Sequence, residues 1–240
     1  MKTRHGCGIW IGPGGARMLL IAGCAVLLFI GHVPAVEPTV TPPAGTSTLE
    51  QCELYPLAVD TLWTYRSGPL EIREKVARHE EIRGELCARI ETFYEDRVIS
   101  FEHIAVRPDG IYRVAVGGKP VLPPLKFISL PAKPGVKWTI DSLVAGKPLK
   151  GEFTTSEGTW QARSDRGDPD QTFKTYRVSG DSFQAGGEAV SFSYEFVPQV
   201  GKVKQTAKVH GLETTLELRH FSIPGQAPTR TAFGPRSLYR

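Results

Sequence analysis

From Leu54 to Ile223 the chain alternates apolar and polar residues with a period of two. "VSFSYEFV" (190–197) places Val190, Phe192, Tyr194 and Phe196 on one face and Ser191, Ser193 and Glu195 on the other. "LETTLELRHF" (212–221) sets Leu212, Thr214, Leu216 and Leu218 against Glu213, Thr215, Glu217 and Arg219. Such runs predict half-buried antiparallel strands. "RVISFEHIAV" (97–106) has apolar groups on both faces and predicts a strand covered on both sides. Asp109-Gly110, Gly117-Gly118, Gly146 and Gly211 fall between these runs at hairpin spacing.

Two stretches depart from that pattern. Residues 71–96 have a helix-favouring composition, but Gly84 interrupts the helical spacing, and Leu70, Ile72 and Val76 share one face of a strand. Two strands are expected there, turning at "IRG" (82–84). "KPVLPPLKFISLPAKPG" (119–135) carries Pro120, Pro123 and Pro124, which donate no ladder hydrogen bonds, so a connection crossing an edge or end of the sheet is expected. The fold class is therefore mainly β: an antiparallel curved sheet or half-barrel of hairpins, behind an N-terminal signal or anchor segment.

The ends differ from the body. Residues 1–35 combine Lys2, Arg4 and Arg17 with the uncharged run "MLLIAGCAVLLFI" (18–30), then "VPA" (33–35). This reads as a signal peptide cut after Ala35, or as a retained anchor. "LIAGC" also resembles a bacterial lipobox ending at Cys24, although the apolar run continues beyond that Cys. Residues 36–53 form a Pro-, Thr- and Ser-rich linker, 54–223 the β domain and 224–240 a tail without periodicity. The expected location is extracytoplasmic: periplasmic, secreted or membrane-anchored facing outward.

Charge narrows the partners. The chain holds 29 basic and 25 acidic residues; three of the basics lie in the leader and three in the tail, which leaves 23 against 25 for the body. No basic face for nucleic acid is implied. Cys52 and Cys87 remain after the leader, either as a disulfide of an exported protein or as two separate thiols.

Motifs of chemistry are weak. "GDSF" (180–183) resembles the nucleophile block of GDSL-type esterases, but no Asp follows Asp181 to orient a His, and a turn between strands is expected. "DRGDPD" (165–170) lacks calcium-loop spacing and reads as a solvated loop tip. His79, His103, His210 and His220 show no metal-ligand spacing, "HEE" (79–81) reads as a charged hairpin end, and His103 meets His220 only if the sheet brings them together. No catalytic residue, metal site or cofactor is assigned.

"YPLAVDTLWTY" (55–65), "RPDGIYR" (107–113), "LPAKPGVKW" (130–138) and "VPQVGKVK" (197–204) occur in the order found in a loose group of exported, β-rich bacterial proteins. The chain resembles that group over about Leu54 to Lys204, departing from it at Asp60-Thr61, where a Gly and a polar residue are usual. The resemblance implies an envelope-associated antiparallel sheet, like the half-barrel lipoprotein carriers, and supplies no catalytic residues. The leading expectation is a non-catalytic module holding an apolar small molecule or lipid against Trp63, Tyr65, Phe101, Trp138, Phe192 and Tyr194. The alternative is a structural or interaction module that meets an envelope protein, and a hydrolase is a distant third. Membrane contact would come only through a retained N-terminal segment. A carrier requires a cavity lined by those rings; a structural module requires the rings to touch one another.

Overall fold

The structure, a computed structural model, describes residues 49–50, 52–162 and 171–225. Twelve strands build it: β1 (Leu62–Ser67), β2 (Leu70–Ile82), β3 (Glu85–Tyr94), β4 (Arg97–Arg107), β5 (Gly110–Val116), β6 (Lys119–Ser129), β7 (Lys137–Val144), β8 (Lys147–Ala162), β9 (Gln171–Ala185), β10 (Glu188–Val197), β11 (Gly201–Val209) and β12 (Leu212–Ser222). Each pairs antiparallel with its predecessor, and β12 closes onto β1. The sheet expected to be curved or half-closed is thus a complete barrel without open edges.

Alternation decides which face points inward. Val190, Phe192, Tyr194 and Phe196 of β10 are buried, as are Ile72 and Val76 of β2. Outward positions carry charge, as in the pairs Lys75–Asp60, Lys150–Asp141 and Lys137–Glu152. Apolar inside and charged outside is the reverse of a barrel that spans a bilayer.

Eight strands already enclose about the space that side chains fill, and twelve enclose more. Large rings and a piece of backbone take up the difference. Rings run in contact across the interior from Trp138 through Phe153, Phe183 and Phe192, and from Phe153 through Tyr194 to Phe196. The segment before β1 enters one end as a strap, burying Leu49, Cys52, Leu54, Tyr55 and Leu57. Tyr55 packs within 5.3 Å of Trp63, 6.2 Å of Phe127 and 5.8 Å of Phe196, joining β1, β6 and β10. Each such burial contributes about 2–3 kcal/mol.

Two sequence expectations are corrected here. The Pro-rich stretch is not merely a connection: 119–129 is strand β6. Its ladder fails where the prolines predict, with no β5 partner for Val121 to Pro124 and one paired position to β7, Leu122 with Leu143. The Trp138 indole donates to the Lys126 carbonyl across that seam at 2.8 Å. "GDSF" is not a turn either; it lies inside β9, and the hairpin turns at Gly186-Gly187. Gly180 is needed because the Phe183 ring folds over it: an added Cβ would lie 2.2 Å from that ring. "HEE" lies at the end of β2 beside the Arg83-Gly84 turn, as expected of a hairpin end, although Glu80 is buried there rather than on an open rim. "DRGDPD", the leader and the tail beyond Gly225 lie outside the described residues.

Candidate functional site

Strands alternate in direction, so connections gather at two ends. At the hairpin end all six links are two-residue turns, after β1, β3, β5, β7, β9 and β11. The strap end carries the strap, two-residue turns after β2 and β4, a seven-residue loop from β6 to β7, the connection from β8 to β9 and a three-residue loop from β10 to β11. Barrel mouths of this open kind are common ligand sites.

The strap does not fill the mouth. Beside it lies a cleft of about 530 Å³, bounded by Cys52 to Leu54 of the strap, Val106 to Pro108 at the end of β4, Leu130 to Ala132 and Pro198. Glu53 and Arg107 are the charged residues among those that line it. Arg107 is committed: its Nε and Nη2 donate to the two carboxylate oxygens of Glu85, each at 2.8 Å, and its guanidinium lies 4.3 Å from the Tyr112 ring centre. The hydrogen bonds from Arg107 hold the Glu85 carboxyl below its ordinary range, and those to Glu85 raise Arg107.

The strap is tied to the wall at both ends. The Gln199 N–H donates to the Glu53 carbonyl at 2.6 Å, and His79 Nε2 donates to the Leu57 carbonyl at 2.6 Å. Trp63 Nε1 donates to the Val200 carbonyl at 2.7 Å. Gly201 sits beneath this corner at φ 96°, where a Cβ would meet the Trp63 indole nitrogen at 3.0 Å and Tyr55 at 3.2 Å.

Below Tyr55 the interior holds two ion pairs. Lys202 Nζ reaches Glu74 Oε1 at 2.8 Å and Gln205 Oε1 at 2.9 Å, with both charged side chains nearly sealed from solvent at 5% and 2% exposure. Arg113 donates to Glu102. The ladder shifts register beside each pair, between Glu195 and Phe196 and between His103 and Ile104, and such bulges re-aim side chains. Burial, reinforced by Glu74, raises the Tyr55 and Tyr65 phenols well above their usual range, so both stay neutral. A charge left unpaired here would be expensive, so these pairs fix the packing.

The six aromatic candidates separate. Trp63, Tyr65, Phe192 and Tyr194 are buried in the ring-filled interior. Trp138 is half-buried against Phe153 at the β6–β7 seam. Phe101 lies on the outer wall, under the Arg89 guanidinium at 4.0 Å. None of the six lines the cleft. The cysteines are not bridged: both are free and buried. Cys52 belongs to the interior cluster, while Cys87 packs with Ala105 and Val114 on the other face of the wall. Burial raises both thiols, Cys87 to about 12, which makes them poor nucleophiles. His103 and His220 are not brought together, because β1, β2 and β3 stand between β4 and β12; His103 bonds Glu80 instead. Among the described residues no group of three or more His, Cys, Asp or Glu is arranged to hold a metal.

Residue-by-residue reading passed over Arg107, Glu85 and the interior pairs. Glu74 had a readable signal, since it alternates between Ile72 and Val76 on an inward face. The architecture defined here is a closed twelve-stranded antiparallel barrel with a strapped, partly open mouth. No known protein family, curated protein or solved structure matches the chain.

Proposed function

We propose that this is a non-catalytic exported protein of the cell envelope that binds an apolar ligand, a lipid or small hydrophobic molecule, in the barrel mouth. The supporting observation is the cleft beside the strap, of ordinary small-molecule size and lined mainly by apolar and proline side chains. The interior is a poor place for a ligand, because its rings already touch one another. That same contact favours the second reading, a structural or interaction module whose solid barrel presents the mouth to another envelope protein.

Ala132→Trp separates the two. Ala132 is exposed on the cleft's rim, so an indole there fills the cleft without disturbing the interior. Under the ligand reading, a medium-chain monoacylglycerol at about a hundred times its Kd stabilises the native protein by about 2.7 kcal/mol in thermal unfolding. The variant is expected to unfold normally when free and to lose that ligand-dependent gain. Absence of any gain in the unsubstituted protein would leave the interaction module as the better reading.

A further inference from the structure

Two neighbouring turns at the hairpin end repeat one short sequence. The turn from β5 to β6 reads Val-Gly-Gly-Lys-Pro (116–120) and the turn from β7 to β8 reads Val-Ala-Gly-Lys-Pro (144–148). In each, the valine is buried in the interior, the next two residues turn the chain at positive φ, and the proline is exposed. The two hairpins stand side by side, because β6 lies next to β7. The paired position Leu122 with Leu143, continued in register, sets Lys119 beside Gly146. Lys119 and Lys147 therefore share one stretch of the rim.

Apolar side chains lie beside these tips. Leu122, Leu143 and Pro148 form one outward row across β6, β7 and β8. The leucines are 41% and 47% exposed, whereas Val121, Val144 and Leu149 next to the row point inward and are buried. Pro120 and Pro123 extend the exposed apolar surface along β6. Charge here is one-sided: between Asp109 and Glu152 the chain holds Asp141 alone against six lysines and Arg113. Asp141, Glu152 and Asp109 are each matched by a lysine farther along the wall, Lys150, Lys137 and Lys126, so no carboxylate belongs to either tip. Exposed leucines beside lysines suit a surface that is apolar beneath a layer of negative charge, with the leucines among acyl chains and the ammonium groups among phosphates. A second copy of the chain fits worse, because a two-fold contact would bring lysine tips against lysine tips. We propose that the β5–β6 and β7–β8 tips seat the barrel on an anionic phospholipid surface, with Leu122 and Leu143 inserted and Lys119 and Lys147 on the phosphates. This contact is separate from the N-terminal segment and does not rest on the cleft.

The test attaches an environment-sensitive fluorophore to Leu143→Cys in the full chain, with Cys7→Ser and Cys24→Ser; Cys52 and Cys87 are buried. A reporter at this position reads local immersion even when another segment also holds the chain to the vesicle. Phosphatidylglycerol vesicles at low salt are expected to raise its emission about twofold or more, phosphatidylcholine vesicles much less, and high salt should remove most of the rise. The same fluorophore on Gln161→Cys, exposed at the opposite end of β8, should stay unchanged. Lys119→Gln with Lys147→Gln should raise the lipid concentration for half response about thirtyfold. Lys119→Gln alone should raise it about fivefold and carries the test if the double variant fails to fold. Equal response to both lipids, an equal response at position 161, or an unchanged midpoint in the lysine variants overturns the proposal. So does silence at position 143. Emission that rises with protein concentration in lipid-free buffer overturns it as well, and assigns the patch to a second copy.

Discussion

The two ends of the barrel are built by different physics. The hairpin end closes with short-range chemistry: Gly117-Gly118, Ala145-Gly146, Gly186-Gly187 and His210-Gly211 all have the paired positive φ of a tight hairpin turn. The strap end is closed by residues far apart in sequence, with Tyr55 against Phe127 and Phe196, Trp63 bonded to Val200, and Lys202 paired with Glu74. A turn end holds itself in shape one hairpin at a time. A strapped end must be assembled from every part of the chain, and space left over there becomes a cleft.

The largest expected effect tests whether the strap end depends on its buried charges. Lys202→Met leaves Glu74 uncompensated inside the barrel and should cost about 3–5 kcal/mol in urea unfolding. Adding Glu74→Leu removes the orphaned charge and should recover most of that loss. If the double variant is no better than the single, the pair does more than balance charge, and the strap end needs those polar groups for another reason.

An intermediate effect compares one glycine from each end. Gly187→Ala, at φ 94° in a hairpin turn with open space around its Cβ, pays only for the backbone conformation, about 1 kcal/mol. Gly201→Ala, at φ 96°, must in addition displace Trp63 and Tyr55, and should cost about 2–4 kcal/mol. Urea midpoints for the two variants measure the difference. Equal losses would mean that the corner under the strap is loosely packed.

This asymmetry also explains what could be read from sequence. Period-two alternation and the glycine turns act between neighbours, so β10, β12 and the hairpin end were legible from residues a few positions apart. Closure was not, because pairing Leu62 with Ser222 depends on the accumulated curvature of twelve strands. β6 was misjudged because proline's missing donor was taken to exclude a strand, whereas the barrel tolerates a strand that has no β5 partner from Val121 to Pro124 and only Leu122 paired to β7. Trp63 and Tyr65, named as ligand-contacting rings, are buried in the ring-filled interior, and the cleft lies elsewhere. Its lining comes from four separated segments, and only the fold brings them together.

The smallest expected effect concerns pH and again separates the ends. Ion pairs near the hairpin end are exposed, such as Lys150–Asp141 and His210–Glu188, and contribute little. On the outer wall toward the strap end, His103 is buried against Glu80, with Arg78 and Arg89 beside it and Phe101 packed edge-on. Burial lowers the His103 pKa, helped by the two arginines and opposed by Glu80. The unfolded chain therefore takes up this proton first, and stability should decline as pH falls below about 6.5 toward the lower folded value. Glu80 is pushed up by burial, but its bonds with His103 and Arg78 outweigh this and lower it, so its contribution is present above about 4.5 and fades as pH falls further. Hydrogen exchange should show amides of β2 to β4 near the strap end losing protection across this window before those of the hairpin end. His103→Gln should flatten the upper part of the decline. Uniform loss of protection at both ends would show that acid destabilises the barrel as a whole rather than through this pair.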